Sequence, residues 1–319
     1  MRMTVLASGS KGNSTLIASS RTRILLDAGL SCRELLRRMA SAGEDPAALS
    51  AILITHEHQD HVAGLATLAR RLSIPVFFTE PTHRAWVRSL TPRTTLTYAQ
   101  WLAKVQAEKA AAAASLSSAP PAATSSSPES ETTDLCAEAE ASDTAKADPA
   151  QLPDVQYFRA GEDFQIGDLH ITPFTIPHDA ADPCGFVVHC PSEGIRMAVA
   201  TDLGYMPPNV KAALRGADVL LLESNHDLEM LKDGPYPWSV KQRVLSRVGH
   251  LSNHATADFL ARDYDGGAHT IVLGHLSEQN NAPALALLAA RQALDRHPTL
   301  LGNHLILAEQ ASPLAPITL

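Results

Sequence analysis

Short apolar runs alternate along the chain with polar turns and longer amphipathic stretches. Thr4–Ala7, Thr15–Ala18 and Ile24–Asp27 are apolar runs of strand length, and the Gly, Ser and Arg positions between them supply turns. Ser31 to Ala40 predicts a helix, because Ser31 and Glu34 have capping-box spacing and Leu35, Leu36 and Met39 make an apolar face. Ala51–Thr55 is a buried-type strand. Val62, Leu65, Ala69 and Leu72 form one stripe and predict a helix from His61 to Leu72. Pro75–Thr79 predicts a further strand, and Thr82 the cap of a short helix.

Between residues 104 and 152 the periodicity stops. Ala110 to Ala114 is unbroken alanine, Ser125-Ser126-Ser127-Pro128 follows, and aromatic residues are absent. Such a segment buries too little apolar surface to offset its ordering entropy. It predicts a flexible low-complexity insertion whose one admissible element is a helix near Trp101–Ala114. Past it, Phe164–Ile166 and Leu169–Ile171 flank the hairpin signal Gly167-Asp168. Strands are expected at Gly185–His189, Met197–Asp202, Asp218–Glu223, Thr270–Gly274 and His304–Ala308. Helices are expected at Ser239–Val248, Ser252–Asp263 and Pro283–Leu294. Two runs of strands, each accompanied by helices, predict an α/β fold of four layers, an αββα sandwich. The expectation is a single domain over residues 1–319, interrupted at 104–152.

Composition narrows the class. No apolar run approaches the ~20 residues that span a bilayer. Met1-Arg2-Met3-Thr4-Val5-Leu6 passes straight into a Gly/Ser turn, without the apolar core of a signal peptide. Cys32, Cys136, Cys184 and Cys190 are scattered, with no C-x-x-C pair, and read as reduced thiols. A cytoplasmic protein with no membrane partner is expected. Net charge is −8, of which residues 104–152 carry −5 (eight acids, three lysines), leaving −3 elsewhere. The folded part has no broad basic field for capturing nucleic acid by counterion release. A nucleic-acid substrate would have to be drawn in by bound metal ions and local Arg or Lys.

Residues 56–61 read His56-Glu57-His58-Gln59-Asp60-His61, four metal-ligand types in six positions directly after an apolar strand. His56 and His58 share one side of an extended or turning backbone; Asp60 and His61 come around the next turn. His178, Asp202 and His275 each follow an apolar run at a predicted strand end, where loops carry active sites. Together these five His and two Asp suffice for two divalent ions with one carboxylate bridging and positions left open for water. Imidazole and carboxylate donors suit Zn²⁺ or Mn²⁺.

The chain resembles the metallo-β-lactamase superfamily and, within it, the WalJ/YycJ-type group of bacterial proteins related to RNase Z. The resemblance rests on Leu6-Ala7-Ser8-Gly9-Ser10-Lys11-Gly12-Asn13-Ser14, Leu25-Leu26-Asp27-Ala28-Gly29 and the His56–His61 cluster. It continues through Ile176-Pro177-His178-Asp179-Ala180, Thr201-Asp202-Leu203-Gly204, Glu223-Ser224-Asn225-His226-Asp227 and Gly234-Pro235-Tyr236-Pro237-Trp238. Gly249-His250-Leu251-Ser252-Asn253 and Gly274-His275-Leu276-Ser277 complete it. It covers nearly all of the chain except 104–152. The resemblance implies that His56, His58 and His178 hold one metal, that Asp60, His61 and His275 hold the other, and that Asp202 bridges. Asp27 resembles an aspartate that orients a ligand or closes the metal loop; a plain strand-end turn residue is the alternative.

Departures from neighbouring groups matter as well. β-Lactamases proper generally lack an Asp at the position of Asp202. In thiolesterases of the glyoxalase II kind the third His typically stands in a Pro-Gly-His-Thr context, whereas here it is Ile176-Pro177-His178-Asp179. The implied activity is a phosphodiesterase, and the group resemblance points to a 5′→3′ exonuclease on DNA. Two ions would lower the pKa of a bridging water to give the attacking hydroxide. His250 is the candidate general acid and Glu223 its orienting partner. Asn225, His226, Ser10 and Asn13 are candidate substrate contacts. Asn225 and His226 fit equally well as braces of the metal loop, and Ser10 and Asn13 as a plain turn. Tyr236 and Trp238 read as loop packing, with base stacking as the alternative. His254 reads as a surface residue. Two other functions fit the same ligands: hydrolysis of a small phosphodiester or thioester, and a non-catalytic regulatory protein.

Overall fold

The computed structural model describes residues 1–91, 102, 103, 106, 148–296 and 302–319. Residues 1–90 and 149–319 form one compact unit, and residues 91–148 a second. In the second, Leu102, Ala103 and Gln106 are helical and exposed. Most of the expected insertion at 104–152, and Cys136 with it, lies outside the described residues.

The larger unit holds two seven-stranded sheets. The first begins as an antiparallel meander of β1 (Arg2–Ala7), β2 (Ser14–Ala18) and β3 (Arg23–Leu26). It continues in parallel through β4 (Ala51–Leu53), β5 (Val76–Phe78) and β6 (Val155–Tyr157). The second repeats the plan. β7 (Phe164–Ile166), β8 (Leu169–Thr175), β9 (Cys184–Cys190) and β10 (Ile195–Ala200) run antiparallel; β11 (Val219–Glu223), β12 (Thr270–Gly274) and β13 (His304–Leu307) follow β10 in parallel. A short β14 (Ile317–Thr318) closes the outer edge of β1.

Side chains alternate between two apolar environments along these strands, as the pleat requires. Ile24 and Leu26 pack between the sheets while Leu25 faces outward; Val219 and Leu221 pack between them while Leu220 and Leu222 face outward. Both faces of each sheet are covered, so the strands read as continuous apolar runs. The outer face of the first sheet is covered by α1 (Cys32–Ser41), α3 (Leu65–Leu72) and α4 (Glu80–Leu90) through Leu35, Met39, Leu65, Leu68 and Trp86. The second is covered by α5 (Pro208–Ala213), α8 (Asn253–Arg262) and α9 (Pro283–Leu294) through Val210, Phe259, Leu260, Ala286 and Ala290. The architecture is the expected αββα sandwich. Among the described residues no helix is long and apolar enough to cross a membrane.

Local differences from expectation have physical causes. At α1, Ser31 Oγ accepts from Glu34 N as predicted, but the Glu34 carboxylate turns to Arg37 and Arg38 instead of closing the box. The single helix expected from His61 to Leu72 is two, α2 (Gln59–Val62) and α3, broken at Ala63-Gly64. Gly64 N–H donates to the Ala28 carbonyl, and a Cβ there would lie 2.1 Å from the Leu30 carbonyl oxygen. α4 starts before Thr82, and Thr79 Oγ1 accepts from Thr82 N. The helix expected to Val248 is α7 (Trp238–Val244), after which the chain turns toward His250. Asp27 and Asp202, expected to end strands, lie just beyond β3 and β10.

β5 and β6 are adjacent parallel strands whose crossover already contains α4, so residues 104–148 are not needed to complete the topology. Their deletion is expected to leave one cooperative thermal transition and to change stability by about 1 kcal/mol or less. A broad or multiphasic melt in calorimetry would instead make the segment part of the fold.

Candidate metal centre

The parallel strands of both sheets end on the same side, next to the points where antiparallel pairing gives way to parallel. Crevices at such carboxyl ends are where α/β sheets bind ligands. Asp27 follows β3, His56 lies three residues past the end of β4, Asp202 lies two past the end of β10, Glu223 ends β11 and His275 follows β12. Three of these have left-handed backbones: φ is 61° at Asp27, 62° at Asp202 and 54° at His275. Asp and His tolerate this region better than most residues, but each such position costs of order 1–3 kcal/mol. The sharp turn aims each side chain back over its strand end.

The first group is His56, His58 and His178. His56 Nε2 lies 3.1 Å from His58 Nδ1, which lies 3.3 Å from His178 Nε2. A tetrahedral ion with nitrogen ligands at about 2.0–2.1 Å sets those nitrogens about 3.3 Å apart. The far ring nitrogens are anchored. His178 Nδ1 donates to the Gly249 carbonyl at 3.2 Å, and His56 Nδ1 pairs with Thr55 Oγ1 at 3.0 Å. Thr55 Oγ1 in turn donates to Asp27. Such anchoring fixes the tautomer and turns a lone pair into the site.

The second group is Asp60, His61 and His275. His61 Nδ1 donates to Asp27 Oδ2 at 2.8 Å, so Asp27 orients this ring. His61 Nε2 lies 3.6 Å from Asp60 Oδ2 and 3.4 Å from Asp202 Oδ2. Asp202 also groups with His56 and His61, and with Glu223, His250 and His275, so it stands between the clusters. Asp202 Oδ2 and His275 Nε2 are buried without a hydrogen-bond partner among the described residues. An orphaned carboxylate oxygen and an orphaned imidazole nitrogen in one buried cluster call for a bound group, and a divalent cation fits both. The loop holding Asp60 approaches so closely that a Cβ on Gly29 would lie 1.7 Å from the Asp60 carbonyl oxygen.

Glu223 links this cluster to His250. Its Oε1 accepts from His250 Nδ1 at 2.7 Å and from His275 Nδ1 at 2.9 Å, and its Oε2 accepts from Leu203 N and Leu251 N. His250 remains partly exposed with Nε2 on the far side of its ring from Glu223. Asn13 Nδ2 lies 3.1 Å from His61 Nε2 and 3.3 Å from Asp60 Oδ2, at the edge of the second group. Asn225 is buried and donates to the His275 carbonyl. His226 is buried, and neither ring nitrogen has a partner among the described residues. Ser10 is exposed on the neighbouring turn, and His254 is exposed on α8. Sequence reasoning missed Thr55, the Gly249 carbonyl, Ser8, whose Oγ accepts from His275 N, and the Asp179–Arg243 ion pair. Thr55 is adjacent to the cluster, and Ser8, Asp179 and Gly249 lie in the stretches that carry the resemblance, but nothing in the sequence marked their partners.

The two histidine groups differ electrically. Burial pushes His56 well below the usual imidazole range, and the neighbouring rings add to it. It is a neutral donor ready for a metal. Burial also opposes charge on His61, but Asp27, Asp202 and Asp60 carry it up to about 9. His275 is likewise raised despite burial, by Asp202, Asp60 and Glu223. Glu223 is held low by His250 and His275 against the upward push of burial. The carboxylates thus demand positive charge, which protons supply when no metal does.

A model of the metallo-β-lactamase superfamily matches residues 7–240. An exodeoxyribonuclease YycJ of Bacillus anthracis is 30% identical over 92% of this chain and 89% of its own. An exodeoxyribonuclease WalJ of Streptococcus pneumoniae is 30% identical over 89% of this chain and 85% of its own. The crystal structure of YhfI from Bacillus subtilis, a metallo-β-lactamase-fold protein, superposes with a TM-score of 0.59 at 15% identity, covering 98% of this chain and 99% of that one. The chain belongs to the metallo-β-lactamase superfamily. It is a metal-dependent hydrolase.

In chelated protein, His61 has a folded pKa of about 9 against 6.5 in the unfolded chain. A raised imidazole pKa gives stability that is full below the unfolded value and lost as pH rises through the folded one. The melting temperature of chelated protein is therefore expected to fall between pH 6.5 and 9. Metal-loaded protein should show the opposite trend there, because deprotonation favours metal binding. Parallel melting curves with and without metal would refute this.

Proposed function

We propose that the chain is a dinuclear phosphodiesterase that degrades DNA from its 5′ ends, in the cytoplasm. His56, His58 and His178 would hold one ion and Asp60, His61 and His275 the other, with Asp202 standing between the two groups; Zn²⁺ and Mn²⁺ both suit these donors. Residues 1–319 act as one metallo-β-lactamase domain with 104–152 inserted. The observation that carries the reading is the Glu223–His250 pair, set beside both ligand groups with His250 Nδ1 3.7 Å from Asp202 Oδ1. Such a pair serves a reaction whose leaving group needs a proton. The preference for DNA draws on the exodeoxyribonuclease names of the two relatives.

Divalent ions bound there would activate the attacking water and neutralise charge on the scissile phosphate. The protein does the rest. Asp27, Thr55 and the Gly249 carbonyl hold the imidazoles so that their free nitrogens converge. Glu223 accepts from His250 Nδ1, which fixes the ring and leaves Nε2 facing away from Glu223. His250 Nε2 then delivers a proton to the departing 3′ oxygen. Asn13 holds Asp60 at the rim of the site.

The decisive assay is degradation of end-labelled double-stranded DNA and RNA by metal-reconstituted protein, with Asp60→Ala alongside. Stepwise release from DNA 5′ ends, lost in the variant and on chelation, is expected. Failure to cleave either polymer with both metals bound would overturn the proposal. His250→Ala is expected to keep its metal while kcat on DNA falls about 10²–10⁴-fold. The loss should be smaller on a p-nitrophenyl phosphodiester, whose leaving group departs without a proton. Equal losses on both substrates would remove His250 from the acid role.

A further inference from the structure

The segment from Trp238 to His250 walls one side of the site. It is held against the site at four places. The Gly249 carbonyl holds His178, the Val248 carbonyl accepts from Asp179 N, and His250 pairs with Glu223. The fourth is Gly204, in the loop after Asp202, where a Cβ would lie 2.4 Å from the Arg247 backbone.

The outer face of this wall differs from the rest of the surface. Of the nine large hydrophobic residues exposed among the described residues, four lie here: Trp238 at 65%, Leu245 at 49%, Val248 at 43% and Val240 at 36%. Residues 238–250 contain Lys241, Arg243 and Arg247 and no acid, in a chain of net charge −8. Lys241 is buried against the Lys232 carbonyl, so the exposed cations are the two arginines. Arg243 grips Asp179 with Nε and Nη2. The Arg247 guanidinium carbon lies over the Tyr205 ring, 4.2 Å from its centroid, and Arg247 makes no ion pair among the described residues. Trp238 was expected to pack its loop; instead its indole is turned to solvent.

We infer that this face is the binding track for a single nucleic-acid strand, or the frayed end of a duplex, leading to His250; the inference rests on the nuclease reading. The exposed indole offers a stacking platform, which only an unstacked base can use, because a paired duplex hides its base faces. Arg247, packed over Tyr205 and without an ion pair among the described residues, offers its planar N–H fork to the phosphate that follows. Val240, Leu245 and Val248 add exposed apolar surface to the same segment. The contacts read no base edge, so binding is insensitive to sequence. The track also supplies the local cationic attraction that a net-acidic protein needs for a polyanion.

The test uses the metal-loaded full chain and a Trp238→Ala/Arg247→Ala double variant, with Leu288→Ala on α9 as an exposed apolar control. Fluorescence anisotropy reads the Kd for nuclease-resistant phosphorothioate 12-mers of dT, dC and dA. Turnover is compared on a natural 12-mer and on a p-nitrophenyl phosphodiester. The double variant should lose about tenfold or more in affinity for all three oligomers. Its kcat/KM should fall at least tenfold further on the 12-mer than on the small diester, while Leu288→Ala matches wild type throughout. If wild type degrades DNA or RNA and the double variant binds the oligomers equally well, the track is wrong and the nuclease reading stands. If wild type neither binds nor cleaves any polynucleotide, the nuclease reading falls and the track with it. If wild type sediments as a dimer and the double variant as a monomer, the face is a contact between copies, and the inference is overturned.

Discussion

Three buried carboxylates, Asp27, Asp202 and Glu223, are packed against the buried imidazoles of His56, His61, His178 and His275 at the carboxyl ends of two sheets. Charges at that depth are tolerated only when paired or bound to a metal. Everything around the site answers that demand. Asp27 accepts hydrogen bonds from Thr55 and His61, Glu223 accepts from two rings and two backbone amides, and the Asp202 oxygen left over faces the imidazole nitrogens. Family membership and local electrostatics agree here. A cluster that raises His61 and His275 in the absence of metal is one in which a dication replaces those protons.

The sandwich makes such a cluster affordable. Its strands are apolar on both faces, so three packed layers carry the stability, and polar groups concentrate at one rim. Each sheet passes from antiparallel to parallel pairing beside that rim, which leaves strand ends free to turn inward. The left-handed backbones at Asp27, Asp202 and His275 are the local cost. Rigid strands hold these turns, so the donor atoms are placed by scaffold rather than by flexible loops.

Surface and site are connected through one short segment. The chain that brings the Gly249 carbonyl to His178 and His250 to Glu223 also presents Trp238 and Arg247 outward. Movement at its outer face would therefore be felt by a ring nitrogen inside. Because the protein is acidic as a whole, attraction for an anionic polymer has to be local, and residues 238–250 carry Lys241, Arg243 and Arg247 with no acid among them.

Much of this was legible in the linear chain. Apolar runs at strand length mark the sheets, and the His56–His61 cluster, with His178, Asp202 and His275 past later runs, marks the candidate ligands. These signals are local: a period, a spacing, or a ligand type next to a buried run. What sequence could not decide were relations between distant residues. Asp27 could be a turn residue or an orienting partner, and only the distance to His61 assigned it a hydrogen bond. Nothing near Asp179 announces Arg243, 64 positions away. Trp238 directly after Pro237 reads as packing, and its exposure became visible only once helix α7 stopped at Val244 and the chain turned toward the site. The break at Gly64 follows from the approach of the Leu30 carbonyl, a contact across the fold that overrides a good helical stripe. Periodicity and residue type determined the layers and the chemical vocabulary of the site. Close packing of strand ends from both halves of the chain decided which atoms meet, because hydrogen bonds and metal geometry depend on tenths of an ångström that no local pattern encodes.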